Sequence, residues 1–153
     1  MSECPGSQTM DFNEKTDQDQ GETGQRQCQL RQWPIQMHLI SPQAPYFQER
    51  DVLITADCVP FAFADFHKDY LKGKSIAIAC PKLDSDQEIY SEKVRALIDE
   101  SKINTLTVII MQVPCCLGLT HVVKAGAEKA TRKVPVKQVV IGVEGKLISE
   151  EWI

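Results

Sequence analysis

Four short apolar runs recur along the chain, and each stops at a cysteine, a proline or a glycine. They are DVLITAD (51–57), which ends at Cys58; KSIAIA (74–79), which ends at Cys80-Pro81; TLTVIIMQV (105–113), which ends at Pro114-Cys115-Cys116; and VKQVVIGV (136–143), which ends at Glu144-Gly145 and a short KLI. The runs are near-continuously hydrophobic and rich in Ile and Val, the pattern of strands buried on both faces. Helical periodicity fills the gaps between them. Residues 59–71 carry Pro60 in a first turn and apolar positions at 59, 63, 66 and 70. Residues 85–102 open with Ser85 and Glu88, the spacing of a capping box, and place Tyr90, Val94, Leu97 and Ile98 on one stripe. Residues 119–132 offer Thr120 as a cap and Val122, Val123, Ala127 and Ala130 as a packed face. Strand and helix in strict alternation predict an α/β fold with right-handed crossovers. The expected architecture is a small three-layer sheet, mostly parallel, Rossmann-like or flavodoxin-like.

The chain upstream of these units has a different character. Residues 1–29 are rich in Gln, Asp, Glu, Thr and Gly, and they carry six acids against two bases. So polar a segment cannot bury enough surface to offset its ordering entropy, and it reads as a disordered or loosely draped tail. Residues 30–153 then form a single α/β domain. Ile35-Gln36-Met37-His38-Leu39-Ile40 alternates between two prolines and predicts an edge strand. The body is charge-neutral, with 15 acids and 15 bases, which argues against a nucleic-acid footprint. No apolar run approaches the roughly 18 residues that cross a bilayer. The first residues lack the basic and apolar regions of a signal peptide. A cytoplasmic location without membrane contact is expected.

In a reducing compartment, six cysteines point to metal binding, thiol chemistry or burial as small hydrophobes before they point to disulfides. Cys4 and Cys28 fall in the polar segment and read as free thiols. Cys58, Cys80, Cys115 and Cys116 fall just past the ends of predicted parallel strands, the edge where open α/β sheets bind ligands. Filler cysteines would fall within the strands. Four thiols suffice for an iron–sulfur cluster or a tetrahedral zinc. Alternatively they are inert structural thiols, or Cys115 and Cys116 act as nucleophile and resolving thiol. Cys58 and Cys115-Cys116 precede predicted helices, whose N-termini would favour thiolates. Lys82 would add positive charge near the site.

The remaining candidates have plainer readings beside functional ones. His67, in DFHKDY, is a surface or half-buried helical histidine, or else a cluster ligand or proton relay. His121 is a water-facing residue at a helix start, or a base beside the cysteine pair. His38 has no evident role. Asp57 caps the first helix or does acid–base work with Asp65. Phe61, Phe63, Phe66 and Tyr70 read as core, and Trp33 and Trp152 as packing residues. With neither G-x-G-x-x-G nor G-x-x-x-x-G-K-[ST], no phosphate loop supports a nucleotide site.

ADCVPFAFADFHKDYLKGKS, ACPKLD and MQVPCCLGL, with RQWPIQMHLISPQAPYFQ upstream, together resemble the C-terminal domain of a family of iron–sulfur proteins from anaerobic microbes. The resemblance covers roughly residues 28–120. In that family the domain follows a ferredoxin module with two four-iron clusters. The C-x-x-C-x-x-C-x-x-x-C-P run of such a module is absent from this sequence, so ferredoxin activity does not carry over. The resemblance implies that Cys58, Cys80, Cys115 and Cys116 are the family's recurring cysteines and that His67 is its recurring histidine. The leading expectation is a module that binds an iron–sulfur cluster of the 4Fe-4S kind, or alternatively zinc, and exchanges electrons with a ferredoxin-like partner. The rivals are a thiol-dependent redox enzyme using Cys115 and Cys116 and a non-catalytic interaction domain.

Overall fold

The structure, a computed structural model, describes residues 24–153. Most of the predicted tail, including Cys4, therefore lies outside the described residues. Five strands form one sheet: β1 (Asp51–Ala56), β2 (Ser75–Ala79), β3 (Thr105–Met111), β4 (Val136–Ile141) and β5 (Leu147–Trp152). Their order is β2-β1-β3-β4-β5. The first four are parallel and β5 is antiparallel to β4. β1 and β3 are buried almost along their whole length, which explains their unbroken apolar sequence. β5 escapes such a reading: LISEEW is mostly exposed on both faces and carries no buried run.

The α/β expectation holds. α2 (Glu88–Asp99) and α3 (Leu117–Lys129) follow β2 and β3 and pack against each other. The contact is close because residue 126 is glycine. A Cβ there would come within 2.5 Å of Val94 Cβ and 2.6 Å of the Ser91 carbonyl oxygen. Tyr90, Val94, Leu97 and Ile98, the predicted stripe of α2, are all buried. The β1-to-β2 connection runs the other way along the sheet. A right-handed crossover therefore puts it on the opposite face, completing three layers. From there Tyr70 donates its hydroxyl proton to Glu150 of β5 at 2.9 Å. Among the described residues no helix is long and apolar enough to cross a membrane.

Four local expectations are corrected. Residues 35–40 are not a strand. Only Gln36 bridges β2, in parallel at Ile78, and the chain then turns as the N–H groups of Leu39 and Ile40 donate to the Gln36 carbonyl. The alternation arose from a turn that buries Met37 and Ile40. Residues 59–71 are not one helix. They split into α1 (Val59–Ala62) and a π-helical turn (His67–Leu71), with Phe63 extended between them. The break falls where Gly145, with φ of 88°, abuts the Ala62 carbonyl at a distance that admits no Cβ. The Ser85–Glu88 capping box does not form, and α2 starts later without a side-chain cap. The Ser85 carbonyl contacts His38 Nε2 at 2.7 Å instead. α3 begins two residues before the predicted start, with Cys116 at its N-cap, so Thr120 is a buried helix residue and not a cap.

Candidate functional site

β1 occupies the place between β2 and β3, so the three cysteine-bearing loops leave adjacent strands on one edge. Ala56 is in register with Ala79, the last residue of β2, and Thr55 with Ile109 of β3. Cys58 and Cys80 thus follow neighbouring strand ends, and Cys115 and Cys116 follow the third. The chain leaves β1 toward one side and returns to the other through β3. That reversal opens the crevice where sheets of this order bind ligands.

Backbone and side-chain contacts join the loops. The Asp57 N–H donates to the Ala79 carbonyl at 3.1 Å, pinning the Cys58 loop to the end of β2. Pro81 lies against Gly118, where a Cβ would meet the Pro81 Cβ at 3.0 Å. That contact locks the loop after β2 onto the first turn of α3. Asp84 closes the CPKLD loop: it accepts from the Cys80 N–H at 3.0 Å, from Gln36 Nε2 at 3.2 Å and from the Tyr90 hydroxyl. Cys80 Sγ itself accepts from the Leu83 N–H at 3.4 Å. This Asp84–Tyr90–Gln36 brace was missed in the sequence, and an aspartate four residues after Cys80 was its only signal.

All five described cysteines are free thiols. Cys58 is exposed, Cys80 and Cys115 are half-buried, and Cys116 is buried. The Cys58 thiol is pushed up by partial burial, then by Asp57, Cys80 and Cys115. The Cys116 thiol is pushed up to about 11, chiefly by burial, against a lowering backbone hydrogen bond at Met111 and with Cys115 and Cys58 nearby. This corrects the expectation that helix N-termini make thiolates of these residues. α1 spans only four residues, too few for a useful dipole, and burial prevails at Cys116. Cys80 and Cys115 act on the Cys58 thiol, and Cys115 and Cys58 on the Cys116 thiol, so the four share one neighbourhood.

That neighbourhood carries unsatisfied acidity. Asp57 Oδ1 is buried without a hydrogen-bond partner, and its carboxyl is raised by burial and then by Asp84. Asp57 does not cap α1, which has no side-chain cap. Lys82 is exposed. Thr120 Oγ1, in the first turn of α3, is also buried and unpartnered. Among the described residues, no three His, Cys, Asp or Glu side chains are arranged to hold a single metal ion.

His67 lies elsewhere. Its Nδ1 accepts from the Gln29 N–H at 3.0 Å. It lines a cavity of about 520 Å³ with Cys28, Arg26 and Lys68, and none of the four strand-end cysteines borders it. Arg26 there pairs with Asp65 at 2.9 Å. Residues 25–29 thus drape against the π-helical turn. His121 is exposed, as expected.

A family model described as a Rossmann-like domain matches residues 44–153. An uncharacterized protein of Archaeoglobus fulgidus is 27% identical over 117 residues, which cover 76% of this chain and 81% of the relative. No solved structure matches.

Proposed function

The chain belongs to the Rossmann-like domain family, and from that premise we propose that its carboxyl edge binds an iron–sulfur cluster of the 4Fe-4S kind and exchanges electrons with a ferredoxin-like protein. The observation that carries this reading is the gathering of Cys58, Cys80, Cys115 and Cys116 on three adjacent strand ends, where they influence one another's charge. They supply the thiols from which the ligand set is drawn. The donor set is soft, which favours iron–sulfur clusters or zinc over hard cations. It is not drawn tightly enough for one ion. A cluster tolerates wider spacing, because its own sulfides separate the irons and hold the protein sulfurs apart. Asp57 and Asp84 lie in the same neighbourhood as these thiols. A bound cluster would supply one-electron chemistry; the chain's residues hold it and set its surroundings.

The partner reading is supported by three exposed apolar side chains that accompany the three cysteine loops. Phe61 is 92% exposed, Leu83 81% and Leu117 48%, each two or three residues after a cysteine. Such a patch suits brief docking of another redox protein. A thiol-dependent enzyme is less well supported, since Cys58 and Cys116 are both held away from the thiolate form.

The test is iron, zinc and acid-labile sulfide content of protein purified without oxygen, with its visible spectrum. Iron matched by sulfide, with broad charge-transfer absorption, is the expected result. Zinc without sulfide keeps the site and replaces the cluster. A colourless, metal-free, folded protein after anaerobic reconstitution overturns the reading.

A further inference from the structure

We propose that the chain binds a tetrahedral dianion, phosphate or the phosphoryl end of a larger ligand, in a cationic hollow at the amino ends of β1 and β2. The hollow lies at the opposite edge of the sheet from the four cysteines, and it does not depend on the cluster reading.

Separate stretches of chain are fastened together to make it. The Gln32 amide pairs with the free edge of β2 as a strand would: Nε2 donates to the Ile76 carbonyl at 2.8 Å, and Oε1 accepts from the Ile76 N–H at 2.7 Å. That double contact fixes Arg31, the preceding residue, beside the start of β2. Ser75, the first residue of β2, is buried and donates its hydroxyl proton to the Tyr46 carbonyl. The 3-10 turn Pro45–Phe47 is thereby tied to the same place. Arg50 immediately precedes β1, whose Val52 is in register with Ser75. Arg31, Gln32, Tyr46, Arg50, Lys74 and Ser75 line the resulting hollow of about 130 Å³.

Its charge is one-sided. The lining holds three cations and no acid, in a body whose acids and bases otherwise balance. The contacts that position these cations are to neutral groups. Arg31 Nη1 donates to the Cys28 and Leu30 carbonyls at 2.7 and 3.0 Å, which leaves its Nε and Nη2 donors unused. Lys74 Nζ donates to the Tyr70 carbonyl at 3.2 Å and keeps further protons to give. The Arg50 guanidinium has no partner among the described residues, and none of the three joins an ion pair there. Like charges gathered so closely repel, and an anion between them removes the repulsion. Two guanidinium forks and an ammonium are the donors that phosphate oxygens take, the forks in pairs and the ammonium as a point charge. Three cations match a dianion better than a single carboxylate. The volume sets the size. It falls well below the about 300–1,000 Å³ that encloses a whole small molecule, so the hollow takes an ion or one phosphoryl group.

The experiment is isothermal titration calorimetry of the full chain with inorganic phosphate at low ionic strength, where screening is weakest. The parent should show one saturable site. Arg50→Gln leaves every described side-chain contact in place and should weaken binding by about tenfold or more, the worth of one hydrogen bond to a charged group. Arg50→Glu should abolish it. Lys124→Gln removes an exposed charge from α3, outside the lining of the hollow, and should bind like the parent. Phosphate should also raise the melting temperature of the parent and leave that of Arg50→Glu unchanged, and circular dichroism without phosphate checks the fold of each variant. Phenyl phosphate as a second titrant separates the sources: affinity equal to that of inorganic phosphate assigns the site to a carried phosphoryl group, and exclusion assigns it to the free ion. Absence of a saturable site overturns the proposal. So does equal binding by the parent and Arg50→Glu, and so does a loss in Lys124→Gln as large as in Arg50→Gln, which would mark diffuse attraction to the whole surface.

Discussion

At the amino edge of the sheet, Asp99 accepts from the N–H groups of Thr131 and Arg132 and from the Thr131 hydroxyl, and it pairs with Arg95. Arg132 Nη1 donates to the carbonyls of Ile98 and Ile103, and Ser101 donates its hydroxyl proton to the Pro42 carbonyl. At the carboxyl edge, Asp57 Oδ1 and Thr120 Oγ1 have no partners, Cys58 is bare to solvent, and Phe61 and Leu83 stand out from the surface. The same chain satisfies these polar groups at one end, while at the other the Asp84 brace is satisfied and two buried polar atoms are left without partners. Polar groups that lack partners cost stability, so an edge that keeps two of them is shaped by something other than folding.

Four measurements would break or sharpen that contrast. The largest effect is expected at the satisfied edge. Arg132→Met removes the donor of two backbone carbonyls and should lower unfolding stability by about 1–3 kcal/mol in denaturant titration; an unchanged midpoint would show that this edge is not braced as described. Next comes Asp99→Ala. The Arg132 and Thr131 N–H groups hold the Asp99 carboxyl below its ordinary range. Its contribution is therefore present above the ordinary carboxylate value and is lost as pH falls through the folded one. The variant should melt lower than the parent at neutral pH and converge with it in strong acid.

The unsatisfied edge should respond with the opposite sign. Asp57 has its carboxyl raised, so its stabilising form is the protonated one, and that contribution disappears as pH rises through the folded value. In metal-free protein, Asp57→Asn should melt with the parent in acid and above it at neutral pH. A variant that melts lower at neutral pH would reveal a stabilising partner for the ionised carboxylate. The smallest effect belongs to Cys58→Ser. An exposed thiol supports no packing, so the metal-free variant should stay within about 0.5 kcal/mol of the parent. A larger loss would make Cys58 a structural residue.

The contrast also explains what could be read in advance. β1 and β3 were legible because burial on two faces leaves only apolar residues to choose from. β5 was hidden because an exposed edge strand such as LISEEW imposes no such restriction. Residues 35–40 imitated a strand by their alternating composition, whereas the turn buries Met37 and Ile40, three residues apart, and leaves Leu39 exposed. Positions 59, 63, 66 and 70 kept helical spacing although the helix breaks at Phe63, since each of the two pieces retains part of the period. The four strand-end cysteines could be found because they follow the runs directly. Their convergence could not, because placing β1 between β2 and β3 is a fact of topology and leaves no mark on local sequence. The Asp84 brace was hidden for a related reason: its partners Gln36 and Tyr90 lie far apart in the chain from one another.

The central position of β1 has a bearing on how the protein matures. Cys58 is made early in synthesis, Cys80 follows 22 residues later and Cys115 another 35 after that. Pairing of β2 with β1 already sets Cys58 and Cys80 on neighbouring strand ends, and Cys115 joins them only when β3 docks on the other side of β1. A half-folded molecule therefore presents two of the three loops at most. Only a chain that has completed its non-local strand pairing presents all three, so any ligand that needs all three would be acquired late and would report on the history of the molecule as well as on its composition.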